Sequence, residues 1–369
     1  QVDDLPDGLG GEDEPSVTVV VPARNEAARI ETTVQRLLSQ RGVALSIVAV
    51  NDRSEDETGA ILDRIAAGDE RVRVVHVERL PEGWLGKCHA LHAGTEDVES
   101  EWTLFLDADV WMREDVVARA VAAAERRGAQ HLTVIPEFTA KGLFGKATML
   151  FITLTLVRHG AWVNRDRRTT YLGVGAFNLV RTEAHRSIGR HERLRMEVID
   201  DLKLALILKE AGYRARVYFA TRDVEVEYAP TPRHLITVLE KNGFSLFMYS
   251  MALTCAALMG LLVMWGAPMI GLGAFGWAGW APGLAAAAGM ALAVAPCWMQ
   301  SRKMGWSVWP AMVAPLSAIV PIVAVANSMV RTLSQGGIRW RGAFYPLAAL
   351  REGRVRRRPR RERSGGTVL

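Results

Sequence analysis

The chain has 369 residues, 49% of them hydrophobic, and a net charge of +5. Eight Arg and two Glu between Arg351 and Arg363 carry the positive excess, so the rest of the chain is nearly neutral; no base-reading module accompanies that tail, and no nucleic-acid partner is expected. The three cysteines, Cys88, Cys255 and Cys297, form no CxxC or Cys/His cluster, which excludes a disulfide framework and a zinc site.

Residues 1–16 carry Gly, Pro and acids but no Lys or Arg, which predicts a flexible acidic lead-in rather than a signal peptide. The β-branched run Val17–Val21 predicts a buried parallel strand, followed by Pro22-Ala23-Arg24-Asn25-Glu26. From Ala27 to Gln40, Ile30, Val34, Leu37 and Leu38 repeat on one helical face. Ser46–Val50 predicts a second strand, with Asn51-Asp52-Arg53-Ser54 as its exit. Thr58–Ala67 predicts a helix, Val72–Val77 a third strand, Thr103–Leu106 a fourth, and Glu114–Arg127 another helix. This alternation implies an α/β domain with a mostly parallel sheet. Gly142–Trp162 is apolar but interrupted by Lys146 and Arg158, and is expected to be an interfacial helix. Glu197–Ala211 predicts a helix closed by Gly212, and Val224–Tyr228 alternates like a strand.

From Asn242 to Ser301 there is no Asp, Glu, Lys or Arg, and a second uncharged stretch runs from Met304 to Val330. A membrane span needs roughly 20 apolar residues, so the first stretch has room for two helices and the second for one. Trp265, Trp277, Trp280, Trp306 and Trp309 stand near the expected span ends, as interfacial aromatics do. The expected organisation is a lead-in at 1–16, a catalytic domain at 17–240 and transmembrane helices at 241–332, the last open to a re-entrant fold through Pro310, Pro315 and Pro321. Residues 333–369 are expected to form an interfacial segment and an Arg-rich tail against anionic lipid.

Ligands on parallel sheets sit at the carboxyl ends of the strands. The clusters Arg24–Glu26, Asn51–Arg53 and Asp107–Asp109 each follow a strand, so folding should gather them at one rim. Two carboxylates one residue apart in Asp107-Ala108-Asp109 suit Mg²⁺ or Mn²⁺ on a diphosphate, although turns also use Asp freely. Asp52 suits a base N–H or a ribose hydroxyl, or is an ordinary loop acid, with Ser54 or Asp56 capping the next helix. Glu26 either meets the donor or favours a helix N-terminus. Lys87 follows Gly86 and supplies either a phosphate charge or a solvated surface group. In Asp200-Asp201, neighbouring carboxylates repel and raise one pKa, which suits a general base; favourable charge at a helix start is the other reading. His159, His185 and His191 read as ordinary surface or interface histidines.

Together these residues resemble the family 2 glycosyltransferases of GT-A fold, over about Val17–Tyr228. The resemblance implies a Rossmann-like catalytic domain followed by a helical transmembrane region. It places Pro22, Ala23, Arg24 and Glu26 in the donor loop and makes Asp52 the base-binding acid. It makes Asp107 and Asp109 the ribose and metal motif, and Asp201, the second acid of its pair with Asp200, the base. Gly83-Trp84-Leu85-Gly86-Lys87, the stretch Ile199–Ala205, Trp340-Arg341-Gly342 and Tyr345-Pro346-Leu347 are similar to membrane glycosyltransferases associated with hopanoid and carotenoid (diaponeurosporenoate-type) biosynthesis. Two departures stand out. The acid pair is Asp-Asp rather than Glu-Asp, and the Gln-x-x-Arg-Trp motif of processive polymer synthases is absent. Lys241, near where that motif would lie, is a candidate phosphate contact.

The resemblance implies an inverting, metal-dependent transfer from a nucleotide sugar, expected to be a UDP-sugar, to a lipophilic acceptor such as a carotenoid or hopanoid. The alternatives are a polyprenyl-phosphate or glycolipid acceptor and, in another class, a non-catalytic membrane scaffold. A sugar-1-phosphate nucleotidyltransferase would need a Gly-rich opening loop where Pro22–Glu26 stands. A multi-pass cell-membrane protein with a cytoplasmic catalytic domain is expected, because nucleotide sugars are cytosolic. Three full spans would place the Arg-rich tail outside, against the positive-inside rule, so an inside tail is favoured.

Overall fold

The computed structural model describes residues 2–7, 14–227, 231–273 and 280–357. Tyr228, Trp277, residues 8–13 of the lead-in and residues 358–369 of the basic tail lie outside them. In chain order the sheet-bearing region runs β1 (Ser16–Ala23), α1 (Ile30–Leu38), β2 (Ala44–Asp52), α2 (Thr58–Gly68), β3 (Val72–Val77), α3 (Gly86–Ala93), β4 (Trp102–Phe105) and β5 (Val110–Met112). It continues with α4 (Val116–Arg126), β6 (His131–Phe138), α5 (Gly142–Asn164), β7 (Asn178–Arg181), α6 (Thr182–Ser187), α7 (Asp200–Glu210), β8 (Ala215–Val226) and α8 (Pro232–Asn242).

The eight strands form one sheet in the order β3-β2-β1-β4-β7-β6-β8-β5. β1 lies between parallel neighbours β2 and β4, and β3 runs parallel to β2. Beyond β4 the sheet turns mixed. β7 is antiparallel to both β4 and β6, β8 is parallel to β6, and β5 is antiparallel to β8. The parallel half follows the strong apolar runs of the sequence. The mixed half does not announce itself: β5 and β7 are short, and β6 carries Pro136 at a register shift, where a ladder donor is missing.

Side chains of β1 alternate between two cores. Val17, Val19 and Val21 pack with Ile30, Val34 and Leu37 of α1. Val20 packs on the opposite face with Ala90 and Leu91 of α3 and Leu204 and Ile207 of α7. Both faces are therefore buried, which is why β1 reads as an unbroken apolar run. Each such Val or Leu contributes about 1.5–3 kcal/mol of burial, so the sheet fixes the strand ends before any loop contact is counted.

The lead-in corrects an expectation. Residues 2–7 are docked rather than flexible: Leu5 N–H donates to the Phe219 carbonyl (2.7 Å), Phe219 N–H donates to that of Asp3 (2.8 Å), and Val2 and Leu5 are buried. The two buried apolar side chains, the backbone pairing at Phe219 and Arg119, which donates to the Leu5 and Pro6 carbonyls, hold this segment beside β8.

After α8 come three helices long and apolar enough to cross a membrane: Met251–Gly273, Trp280–Lys303 and Trp309–Gln335. Only 6% and 11% of the first two is buried in the protein, against 50% of the third. The third is jointed at Ala318, between Trp309–Ser317 and Ile319–Gln335. α5 leaves the sheet and packs Leu150, Phe151 and Leu154 against Trp265, Cys297 and Ala311 of these helices. The chain then forms an antiparallel hairpin, β9 (Gly337–Trp340) and β10 (Ala343–Pro346), and a last helix, Leu347–Gly353.

Candidate active site

The ends of β1 and β2 are fastened to each other. Asn25, with a left-handed φ of 55°, donates its N–H to Ser54 Oγ (3.1 Å) and accepts Glu55 N–H on Oδ1 (2.8 Å). Glu26 N–H donates to Thr58 Oγ1 (2.8 Å), and Ala27 N–H to Asp56 Oδ2 (3.1 Å). Asp56 also receives the Thr58 N–H and hydroxyl (3.0 and 2.5 Å), so it is the loop-ordering acid of this exit. Asp52, at the last position of β2, is buried and meets Arg53 through two hydrogen bonds of 2.8 and 3.1 Å.

Pro22, Ala23, Arg24 and Glu26 from the first exit and Asp52 from the second line one cleft of about 370 Å³. Lys87, Asp107 and Asp109 line the same cleft. Lys87 stands in the first turn of α3, a helix that the segment around Gly86 did not reveal. Gly86 has a packing reason to be Gly, since a Cβ there would stand 2.6 Å from Asp52 Oδ2.

Asp200 and Asp201 open α7 but do not line that cleft. They line a small cavity of about 10 Å³ behind it, and Lys87 and Asp107 border both spaces. Lys87 Nζ lies 2.7 Å from Asp107 Oδ1 and 3.7 Å from Asp200 Oδ2. Asp201 Oδ2 accepts Gly175 N–H (2.7 Å), and its Oδ1 accepts Leu202 N–H (2.7 Å). Gly175 is packed tightly here, since a Cβ on it would stand 2.7 Å from Asp107 Oδ2.

The electrostatics of this cluster divide cleanly. Burial raises the Asp200 carboxyl to about 6 against the pull of Lys87, and burial raises Asp201 as well. Burial also works to raise Asp107, but Lys87 outweighs it and holds that carboxyl below its ordinary value. Burial alone would depress Lys87; Asp107, Asp200 and Asp201 outweigh it and keep the ammonium charged. Asp109 has no ion pair of its own among the described residues. Burial, then Asp107 and Glu26, push it up to about 6, and Arg29 offsets only part of this rise.

Among the described residues no three His, Cys, Asp or Glu side chains form a complete metal cage. Mg²⁺ and Mn²⁺ commonly take one or two carboxylates and complete their shell with water and substrate phosphates. The residues present fit that mode, because Asp109, Asp107 and Glu26 crowd like charge at one wall of the cleft, and a divalent cation relieves that repulsion.

Several lining residues were not legible in the sequence. Trp340, Arg341 and Tyr345 of the final hairpin close the far wall, in a segment expected to be interfacial. Arg341 (φ 46°) and Gly342 (φ 82°) make its two-residue turn, with both φ values positive as a type I′ hairpin requires. Arg341 donates to the Arg24 carbonyl (2.5 Å) and to Glu26 Oε1 (2.8 Å). The Tyr345 hydroxyl accepts Gly86 N–H (3.4 Å). Lys241 lies 3.8 Å over the Trp340 ring, and burial, helped by Lys87, lowers it to about 8. Behind this wall a second cleft of about 360 Å³ is lined by Lys241, Arg331 and Arg339 among others. His185 and His191 are not surface residues: both are buried, 3.0 Å apart, and His191 borders the small cavity.

Residues 18–189 match the family model described as glycosyl transferase family 2. Two 4,4'-diaponeurosporenoate glycosyltransferases of Staphylococcus aureus are similar. That of strain bovine RF122 / ET3-1 is 27% identical over 206 residues, and that of strain USA300 is 26% identical. Each alignment covers 55% of this chain and 54% of the relative, so the chain spans about half the length of the curated relatives it matches. Among solved structures, the mannosyltransferase PcManGT from Pyrobaculum calidifontis, in complex with GDP-Man and Mn²⁺, aligns over 89% of this chain and 90% of its own. Its TM-score is 0.53 at 18% identity, a likeness of GT-A fold.

Proposed function

On the premise that this chain carries a family 2 glycosyltransferase domain of GT-A fold, we propose that it moves a sugar from a nucleotide-sugar donor to a lipophilic acceptor, with inversion. The observation that carries this reading is the cluster of Asp107, Asp200 and Asp201 around Lys87, with Asp109 on the wall of the same cleft as Lys87 and Asp107, in a chain that also carries three helices apolar enough to cross a membrane. The named substrate of the Staphylococcus relatives supports a carotenoid-type acceptor, with hopanoids as the neighbouring class, and the GDP-Man and Mn²⁺ of PcManGT support a metal-bound nucleotide sugar.

In this reading the fastened loops Pro22–Glu26 and Asp52–Arg53 receive the nucleoside. Asp109, with Asp107, would hold Mg²⁺ or Mn²⁺, which when bound would supply charge for the departing diphosphate. Lys87 adds a second positive charge. A diphosphate in the cleft competes for Lys87, draws it from Asp107, and opens the partition behind which Asp201 stands. Asp201 then takes the proton of the acceptor hydroxyl or carboxyl as its oxygen bonds to the anomeric carbon and the nucleoside diphosphate leaves from the opposite face. Positioning and charge stabilisation account for most of the rate. The protein sits in the cell membrane with this domain on the cytoplasmic side, where nucleotide sugars are made.

A polyprenyl-phosphate or glycolipid acceptor is the second reading. The lining of the second cleft favours it: Lys241, Arg331, Arg339 and Arg341 outnumber its acid, Glu240, which pairs with Arg331.

The test is transfer from a panel of UDP- and GDP-sugars into membrane lipid extract, with products identified by mass spectrometry. Asp201→Asn is expected to lower turnover about 10²–10⁴-fold while nucleotide binding persists, and chelation of divalent ions is expected to stop transfer. Normal turnover by Asp201→Asn removes the base assignment.

A further inference from the structure

Three helices are apolar enough to cross a bilayer, but the contacts at their ends restrict how many do. The first, Met251–Gly273, leaves the catalytic domain directly after Tyr249, whose carbonyl accepts from Arg351 (2.9 Å). The second ends at Lys303, whose Nζ lies 3.1 Å from Asp4 and 3.8 Å over the Phe219 ring. Phe219 lies in β8 and Asp4 in the segment docked beside it, so these two helices go out and come back. The third therefore starts on the catalytic side. It also ends there, because the hairpin that follows it binds Arg24 and Glu26 through Arg341 and reaches Gly86 through Tyr345. One full crossing by the third helix would strand that hairpin on the opposite side of the membrane.

We infer that the third apolar helix does not cross, and that it lies along the catalytic-side leaflet with one face on the protein and the other in lipid. Its own surface fits. Met312, Leu316, Ile319, Val323 and Val330 are exposed and recur at spacings of three, four and seven, a single stripe. Ala311, Ala314, Ala318 and Ala324 are buried on the other side. The far half is fastened to α8. Ser328 Oγ donates to the Glu240 carbonyl (2.7 Å) and accepts Phe244 N–H (2.9 Å), and Arg331 pairs with Glu240 (3.1 Å). The first two helices instead expose large apolar side chains along most of their length, as a span in lipid must. The joint at Ala318, with Pro315 and Pro321 on either side, lets the third helix bend along the protein. It brings the second cleft, near Arg331 and Arg339, to head-group depth, where an acceptor can enter sideways from the leaflet.

The inference does not depend on the chemistry of transfer, so it survives a failure of the donor or acceptor assignment. The test uses the full chain in oriented membrane vesicles. Single cysteines replace Met312, Leu316, Val323 and Val330 in a background with Cys88, Cys255 and Cys297 changed to Ala, and each carries a nitroxide whose depth is read by power saturation. A tag follows Leu369 and is probed with protease from either face. All four labels are expected at one shallow depth, and the tag is expected to be cut only from the face on which Glu55 and Asp97, replaced by Cys, react with an impermeant maleimide. Label depth that passes through the bilayer centre between Met312 and Val330, or a tag cut from the opposite face, overturns the inference. If Cys88→Ala alone lowers expression, Cys88→Ser replaces it in the same background.

Discussion

The rim of the cleft and the hairpin that covers it face the same space but are held by different means. The rim hangs from strand ends whose flanking residues are fully buried, and its charges form one partly buried cluster around Lys87. The cover is a ten-residue loop-back (Gly337–Pro346): Ile338 and Tyr345 are buried in an apolar cluster with Leu85 and Cys88, Trp340 lies under Lys241, and the tip makes its polar contacts through Arg341, which is 44% exposed. The rim should therefore respond to charge deletion as a buried network does, and the cover as a surface contact does.

Removing the central cation probes the rim hardest. Lys87→Met leaves Asp107, Asp200 and Asp201 facing one another with no counter-charge. Breaking a buried pair costs about 3–5 kcal/mol, and the low end, about 3 kcal/mol, is expected because Asp107 keeps contact with water. That corresponds to a fall in Tm of roughly 6–10 °C. Thermal melting of the purified full chain in detergent reads this directly. A Tm within a degree of the parent would mean that Lys87 does not hold the cluster together.

The same contrast explains what the sequence disclosed. The strands of the rim were legible because their β-branched runs are long and buried on both faces, and the polar triplets after them could only be loop residues. Asp107 and Asp109 were therefore found by position. That Asp200 and Asp201 lie behind a Lys87–Asp107 partition was not legible, because a cavity wall is a matter of side-chain packing. Lys87 was singled out, but α3 was not, since its face of Cys88, Ala90 and Leu91 is too short to show a period. Arg341 and Tyr345 were quoted only within a family signature. Nothing local says that a turn after an apolar helix folds back more than 300 residues to Arg24.

A pH series sharpens the comparison with a smaller effect. Glu197 joins the two regions: it accepts Val355 N–H from the chain end after the hairpin, and lies 3.9 Å from Lys203 of α7. Burial raises it to about 7, as burial raises Asp200 and Asp109 to about 6. An acid raised by folding binds its proton more tightly in the native state, so its contribution is lost as pH rises through the folded value. Burial lowers His185 to about 3 and His131 to about 4 and depresses His191 too. These take up protons first in the unfolded chain, so their contribution is lost as pH falls below the ordinary histidine range. The two windows overlap between about pH 4 and 7, so the opposing contributions largely offset and the parent profile should be shallow there. Glu197→Gln keeps an acceptor for Val355 and removes a loss that develops between about pH 4.5 and 7, so its stability should climb more steeply than the parent's over that range. A Glu197→Gln profile parallel to the parent's from about pH 4.5 to 8 would show that Glu197 does not contribute to the pH dependence.

The smallest change tests the cover alone. Arg341→Ala deletes the bonds to Arg24 and Glu26 at an exposed hairpin tip, and exposed pairs contribute less than about 1 kcal/mol to stability. Melting should barely move. The cleft proposed to hold the donor, however, loses one wall and a cation beside Glu26, so nucleotide affinity should fall by about 3–10-fold, which is about 0.7–1.4 kcal/mol. Arg341→Lys separates fork geometry from charge, because a single ammonium does not reach both acceptors as a planar guanidinium does. It should recover part of the affinity, and less if Glu26 is also changed to Gln. Titration calorimetry with UDP and GDP in Mn²⁺ measures each variant. Parent-like affinity in Arg341→Ala would make the hairpin a bystander and assign the whole nucleotide site to the strand-end rim.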